Sequence, residues 1–219
     1  MSIPPHEYRA IITTEVAHPK EVADFFRFRK WLFIDRCGWR LPFTAAGERD
    51  QFDGADTEYC LLYDRDRLIG GFRAIRTDFP YLAEGVFPEL ATVRPFPRTP
   101  LAWEISRFGV LSGNNDRTAA KLNYALMFKF AALKRATCLV AIADLTYERF
   151  LAMLGVQTSR YGPPQEIGRN AFGEPLMAVA GEISLHAQDP ARMSYFADIA
   201  NNLEITDATH VLGRPLVSA

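Results

Sequence analysis

Cysteine is scarce in this chain, and the three present, Cys37, Cys60 and Cys138, are odd in number and far apart. They make neither a disulfide framework nor a Cys-x-x-Cys metal site, which points to a reducing cytoplasm. Four scattered histidines, His6, His18, His186 and His210, have no metal-ligand partner at helical spacing, so no metal is expected. Long hydrophobic runs are missing: none approaches the ~20 residues that cross a bilayer. The opening MSIPPHEYRA has no apolar core of the kind a signal peptide carries. A basic excess is missing too, and a net charge of −1 argues against nucleic-acid binding. No strand is followed by a glycine-rich turn of the dinucleotide type, which disfavours a methyltransferase. Internal repeats, low-complexity segments and linkers are absent as well.

What remains is a globular chain of 219 residues, 48% hydrophobic and 23% charged, with length enough for a real core. Tyr8–Thr14 reads as a first strand, and Pro19 opens a helix at about 20–33. The stretch 40–57 reads as a long loop, of the kind that often carries function. Strands Glu58–Tyr63 and Leu68–Thr77 form a hairpin through DRDR. Residues 79–100 hold five prolines and are mostly irregular, with a short helix around 81–85. A strand at Ala102–Leu111, a helix at Asp116–Arg135, a buried strand at Cys138–Ala143 and a helix at Leu145–Leu154 follow. A late strand at Leu176–Leu185, a short helix at 190–203 and a loose tail complete the chain. Strands alternating with helices predict an α/β single domain around one mixed sheet.

Several charges occupy positions where this pattern wants an apolar residue. On the first helix, at roughly 100° per residue, Arg29 falls among Val22, Phe25, Phe26, Leu32 and Phe33. Either its stem snorkels to solvent, or it turns into a cleft and meets a carboxylate, because an unpaired buried guanidinium is too costly. Asp50 and Asp53 in ERDQFDG are the candidate carboxylates; Glu48 and Arg49 read as solvated loop charges. Arg73 interrupts the apolar LIGGFRAI and can complete an Arg–Asp–Arg network. In WEISRF, Glu104 and Arg107 point to opposite faces of a regular strand unless a bulge intervenes, and bulges occur beside active sites.

Taken in order, these residues resemble the LuxI-type acyl-homoserine-lactone synthases. The carrying pattern is Arg29, Phe33 and Trp39; Glu48, Asp50, Phe52 and Asp53; Arg73; Phe87; then Glu104, Ser106, Arg107 and Phe108. The similarity continues through Glu148-Arg149, Gly155 and Gly162 and covers roughly 20–165, while the segment beyond about 185 carries no family signal. The resemblance implies one synthase domain over 1–219, an αβα sandwich. Its twisted mixed sheet is splayed into a V-shaped cleft, as in Gcn5-type N-acetyltransferases. It implies two substrates and no cofactor: S-adenosylmethionine, and an acyl thioester on acyl carrier protein or coenzyme A. The amine attacks the thioester, and the methionyl carboxylate then displaces the sulfonium to close the lactone.

The resemblance also distributes roles. Glu104 is the general base, for an amine of reference pKa ~8. Arg107 or Arg73 receives the donor carboxylate, and Arg29 with Asp50 and Asp53 holds the loop over it. Phe33 and Trp39 are the candidates to enclose the sulfonium, which suits cation–π attraction, with core packing as the alternative; Phe87, Ser106 and Phe108 are candidates to complete the S-adenosylmethionine site. Trp103, Met127, Phe128, Ala141, Phe150 and Met153 are candidates for the acyl pocket, with ordinary core duty as the alternative for each. Ala141 stands where some 3-oxo-specific members carry Thr, a departure that favours an unsubstituted acyl group. Arg117, Lys121 and Arg135 fall within roughly 40° on a helix and could dock an acidic carrier. Two other classes remain open: an acetyl-coenzyme A N-acetyltransferase, whose phosphate-loop pattern LSGNNDRTAAK does not match, and a non-enzymatic ligand- or carrier-binding module.

Overall fold

Pro19, whose missing amide hydrogen would be unpaired at a helix start, opens the first helix of a computed structural model that describes residues 8–111 and 116–209. In chain order the elements begin with β1 (Tyr8–Thr13), α1 (Pro19–Arg29) and a wider π-type turn over Lys30–Arg36. A small hairpin of β2 (Phe43–Thr44) and β3 (Gly47–Glu48) leads to β4 (Thr57–Asp64) and β5 (Arg67–Arg76). After α2 (Leu82–Val86) come β6 (Ala102–Val110), α3 (Asp116–Leu133), β7 (Cys138–Asp144) and α4 (Leu145–Met153). The remainder is β8 (Ser159–Arg160), β9 (Gln165–Arg169), β10 (Pro175–Ser184), α5 (Pro190–Ala200) and β11 (Glu204–Asp207).

One nine-stranded mixed sheet runs in the order β11-β1-β4-β5-β6-β7-β10-β8, with β9 paired to β10. Alternation of side chains gives each strand two faces. Ile11, Tyr59, Leu61 and Tyr63 meet Val22, Phe25, Phe26 and Phe28 of α1 on one side. Ile12, Cys60, Leu62, Phe72, Ala74 and Ile105 meet α3 and α5 on the other. Burying each such large apolar side chain contributes about 1.5–3 kcal/mol, so both helix layers are tightly held. The expected sandwich is thus present.

β6 and β7 run parallel but pair over three positions alone, Ala102 with Cys138, Trp103 with Leu139 and Glu104 with Val140. Beyond Glu104 they part, and the sheet opens into a V. The tail differs from expectation: Glu204–Asp207 forms a parallel edge strand on β1, from Arg9 with Glu204 to Ile12 with Asp207. Its side chains alternate between exposed and half-buried, too polar a pattern to announce a strand. The 40–57 loop likewise contains the β2–β3 hairpin.

Candidate active site

The cleft is a cavity of about 490 Å³ between the parted ends of β6 and β7. Its β6 side is formed by Ile105, Ser106, Arg107, Phe108, Gly109 and Val110, with Leu32, Phe33, Cys37 and Trp39 from the π-type turn and its exit. Its β7 side is formed by Leu139, Ala141, Ile142 and Ala143, with Tyr147 and Leu151 of α4 and Ile183 of β10. Tyr124 and Met127 of α3 close the bottom, and Asp144 stands at the mouth.

A bulge does intervene in β6. Gly71 of β5 faces Gly109 and Arg73 faces Ser106, so Arg107 and Phe108 together oppose Phe72. Arg107 adopts φ +53°, unusual for a residue with a side chain. The twist turns Arg107 onto the face of Ser106 and returns Phe108 to the opposite one, where it stacks on Phe72 at 5.8 Å. Asn123, fully buried in α3, donates its side-chain amide to Gly71 O and Gly109 O, each at 3.4 Å, on either side of the bulge.

Beneath this face lie three guanidinium groups and three carboxylates. Arg29 donates to Glu48 at 2.6 Å and to both oxygens of Asp53 at 2.7 and 2.9 Å. Arg107 donates to Glu48 at 3.1 Å from each of two nitrogens and to Asp50 at 2.8 Å. Arg73 pairs with Asp50, and its Nε donates to Ser106 Oγ at 2.9 Å. Tyr59 donates its hydroxyl to Asp53 at 3.1 Å. Burial alone would raise Asp53; the hydrogen bond and charge of Arg29 and the charge of Arg73 outweigh it and hold the carboxyl well below its usual range. Glu48 is lowered against burial in the same way, by Arg29 and Arg107. The network joins α1, the 48–53 loop, β5 and β6.

Arg29 is therefore buried and paired rather than snorkelling. Glu48, expected among solvated charges, is fully buried between Arg29 and Arg107, and this corrects the sequence reading. Three buried cations need three anions, and that count was the available signal. Gly47 supplies a second: its φ is +128°, and a Cβ there would lie 2.4 Å from the backbone of Phe26, so the loop presses onto α1 and carries Glu48 inward. Arg49 is the surface charge of the pair, bound to Glu15.

Glu104 is buried but stands apart from the network. Its two oxygens accept the amides of Leu82 at 3.0 Å and Ala83 at 2.7 Å, so it seats the start of α2. Burial raises its carboxyl above the ordinary range, against the pull of Arg73 and those two amides. It shares a face with Ser106, two residues along the strand, without itself lining the cavity.

Phe33 and Trp39 stack at 4.9 Å and 19° on the cavity wall, and Ser106 and Phe108 line it with them. Phe87 does not: it joins Phe52, Tyr81 and Leu90 in a separate apolar cluster. Of the acyl-pocket candidates, Met127 and Ala141 face the cavity. Trp103 does not, because it belongs to the paired stretch before the strands part and packs edge-on against Phe130 at 5.1 Å. Phe128 lies one step around α3 and meets Phe196 of α5 at 4.7 Å. Phe150 packs on Tyr124 at 5.7 Å behind the wall. Met153, at the end of α4, is 82% exposed. The residues that sequence reasoning missed here, Tyr124, Leu139, Tyr147 and Leu151, carry no signal distinguishing them from core. For docking, α3 ends at Leu133 and Arg135 sits in the turn beyond with φ +51°, so it leaves the helical row; Lys121 is exposed on α3, and the side chain of Arg117 lies outside the described residues.

The autoinducer synthase family model matches residues 13–182. An acyl-homoserine-lactone synthase of Pseudomonas aeruginosa is 31% identical over 162 residues, which cover 73% of this chain and 78% of that protein. One from Acinetobacter nosocomialis is 35% identical over 153 residues, 65% of this chain and 84% of that protein. Among solved structures, the coenzyme A-dependent synthase BjaI, determined with SAM and isopentyl-CoA, superposes with a TM-score of 0.79 over 91% of this chain and 93% of its own at 22% identity. A putative N-acetyltransferase from Lactobacillus plantarum shares the fold more distantly, with a TM-score of 0.55 and 18% identity over 82% of this chain and 99% of its own. These findings do not favour the acetyltransferase or the binding module. The chain belongs to the autoinducer synthase family, whose members are acyl-homoserine-lactone synthases, and it is an acyltransferase of that kind.

Proposed function

We propose that S-adenosylmethionine lies against the β6 wall of the cleft and the acyl chain of the thioester against the β7 wall, so that amine and carbonyl meet at the opening of the V. The observation that carries this reading is the asymmetry of one cavity, with an aromatic stack and a guanidinium on one side and an almost wholly apolar surface on the other. A sulfonium is a cation that aromatic faces attract, and Phe33 and Trp39 offer those faces. Arg107 reaches the cavity with its charge partly committed to Glu48 and Asp50, and it receives the methionyl carboxylate. Arg29, Arg73, Glu48, Asp50 and Asp53 act through Arg107 and are positioning residues.

The base follows from the carboxyl environments. Glu48 and Asp53 are held as anions by arginines and are poor proton acceptors near neutrality. Glu104, the other buried carboxylate among the described residues, is raised by burial and suits an amine of reference pKa about 8. It takes the ammonium proton through a water. The free amine attacks the thioester carbonyl, with backbone amides of the Arg107–Phe108 bulge receiving the oxyanion. The thiolate leaves and the amide forms. The methionyl carboxylate then attacks the carbon bearing sulfur, closing the lactone and expelling 5′-methylthioadenosine. Both reactants are substrates, so this chemistry calls on no cofactor. The acyl donor is coenzyme A-bound or carried by an acidic acyl carrier protein, for which Lys121 and Lys129 are exposed cations on α3. Three free thiols suit a cytoplasmic setting.

Purified protein given S-adenosylmethionine and a graded series of acyl-coenzyme A and acyl-carrier thioesters tests this by mass spectrometry. One acyl-homoserine lactone should appear per 5′-methylthioadenosine. Acyl transfer without 5′-methylthioadenosine release would overturn it.

A further inference from the structure

The tip of the β9–β10 hairpin, residues 170–174, plays no part in the chemistry above. Ala178 of β10 pairs with Asp144 at the end of β7, and Pro175 pairs with Arg169, so the tip projects past the open end of the cleft. There it meets the opposite wall. Ala171 N donates to Gly38 O at 2.7 Å. The Phe172 ring lies on Gly38 so closely that a Cβ there would stand 2.6 Å from ring carbon Cε2. Glycine is required twice over, since Gly38 also has φ +68°.

The tip is built to hold this contact. Asn170, 5% exposed, accepts the amides of Phe172 and Glu174 at 2.9 Å each and donates to the Glu174 carboxylate at 2.8 Å. Phe172 nevertheless stays 70% exposed, which is a poor use of a large apolar side chain for stability. Its contact falls at a sensitive place. Gly38 joins Cys37 to Trp39, both on the cavity wall, and Trp39 N donates to Phe33 O at 2.8 Å while its ring stacks on Phe33.

We propose that Phe172 is a positioning residue that clasps Gly38 from outside the cleft and fixes Trp39 against Phe33 at the S-adenosylmethionine end. This rests on the assignment of Phe33 and Trp39 to the sulfonium. Steady-state kinetics on F172A, F172Y, G38A and W39A, with calorimetric binding of S-adenosylmethionine, test the two separately. F172A should raise KM and Kd for S-adenosylmethionine about five- to tenfold, within the range of a weakened cation–π contact. Its KM for the acyl donor and its melting temperature should not move. F172Y should restore the native values, and G38A should shift the same KM in the same direction. If W39A weakens S-adenosylmethionine while F172A binds it as the native protein does, the clasp is wrong and the sulfonium site stands. If W39A itself has no effect, the sulfonium site falls and takes the clasp with it.

Discussion

On the β6 side of the cleft, six charged side chains fix one another through hydrogen bonds mostly between 2.6 and 3.1 Å, whereas the β7 side is made of Leu139, Ala141, Ile142, Ala143 and Leu151 with no such ties. The first wall tolerates little movement, because each charge is buried and its partner is the reason it can be. The second tolerates change of size and shape, because dispersion and apolar burial are non-directional. A rigid wall suits a substrate that does not vary, and a compliant wall suits one whose length varies. Substitutions on the two sides should therefore differ in kind as well as degree.

Asp53→Asn gives the largest expected effect. It leaves Arg29 with Glu48 alone and sets three buried guanidinium groups against two carboxylates, at a cost of about 3–5 kcal/mol, visible as a lowered urea midpoint together with lost activity. A fall below 1 kcal/mol would break the contrast. Glu104→Gln comes next: kcat should drop about 100-fold, and the acid limb of its pH profile should disappear with the carboxyl that causes it. On the compliant wall, Ala141→Leu should fold normally and lower kcat/KM for long acyl chains relative to short ones by about tenfold. Its KM for S-adenosylmethionine should hold, and a rise there would mean the walls are not separate.

Acid should distinguish the same regions. The carboxyls of Asp53 and Glu48 lie below their ordinary values of 3.8 and 4.5, so the stability they contribute is complete above that range and is lost as pH falls through their lower folded values. Glu104, raised, works in the opposite sense, and its protonation relieves part of its burial cost as pH falls. Urea unfolding from pH 6 to pH 3 should show stability declining below about 4.5 in the native protein and less steeply in the Asp53→Asn variant. The smallest effect belongs to Met153→Ser, which should change stability and chain preference by less than about 0.5 kcal/mol because the side chain is exposed.

The same contrast explains what the sequence disclosed. Arg29, Arg73 and Arg107 interrupt apolar patterns, and a buried charge advertises a partner; Glu104 and Arg107 lie on opposite sides of a regular strand, which left a bulge as one open alternative that β6 adopts. Glu48 escaped because a glutamate in a polar loop looks the same whether it faces water or two arginines. The apolar wall was mostly illegible, since Met127 and Phe128 are adjacent members of one helix and three-dimensional context alone decides which faces the cavity. The helix expected over about 20–33 ends inside the π-type turn at Lys30–Arg36, and β11 falls in the expected tail, because neither element disturbs composition.

A structure of the protein with S-adenosylmethionine and a non-reactive acyl thioether analogue of the acyl donor tests the account most directly. The sulfonium should lie within about 6 Å of the Phe33 and Trp39 rings, and the acyl chain should lie along Met127, Ala141 and Leu151. The two ligands on exchanged walls, or either one outside the opening between β6 and β7, would contradict it.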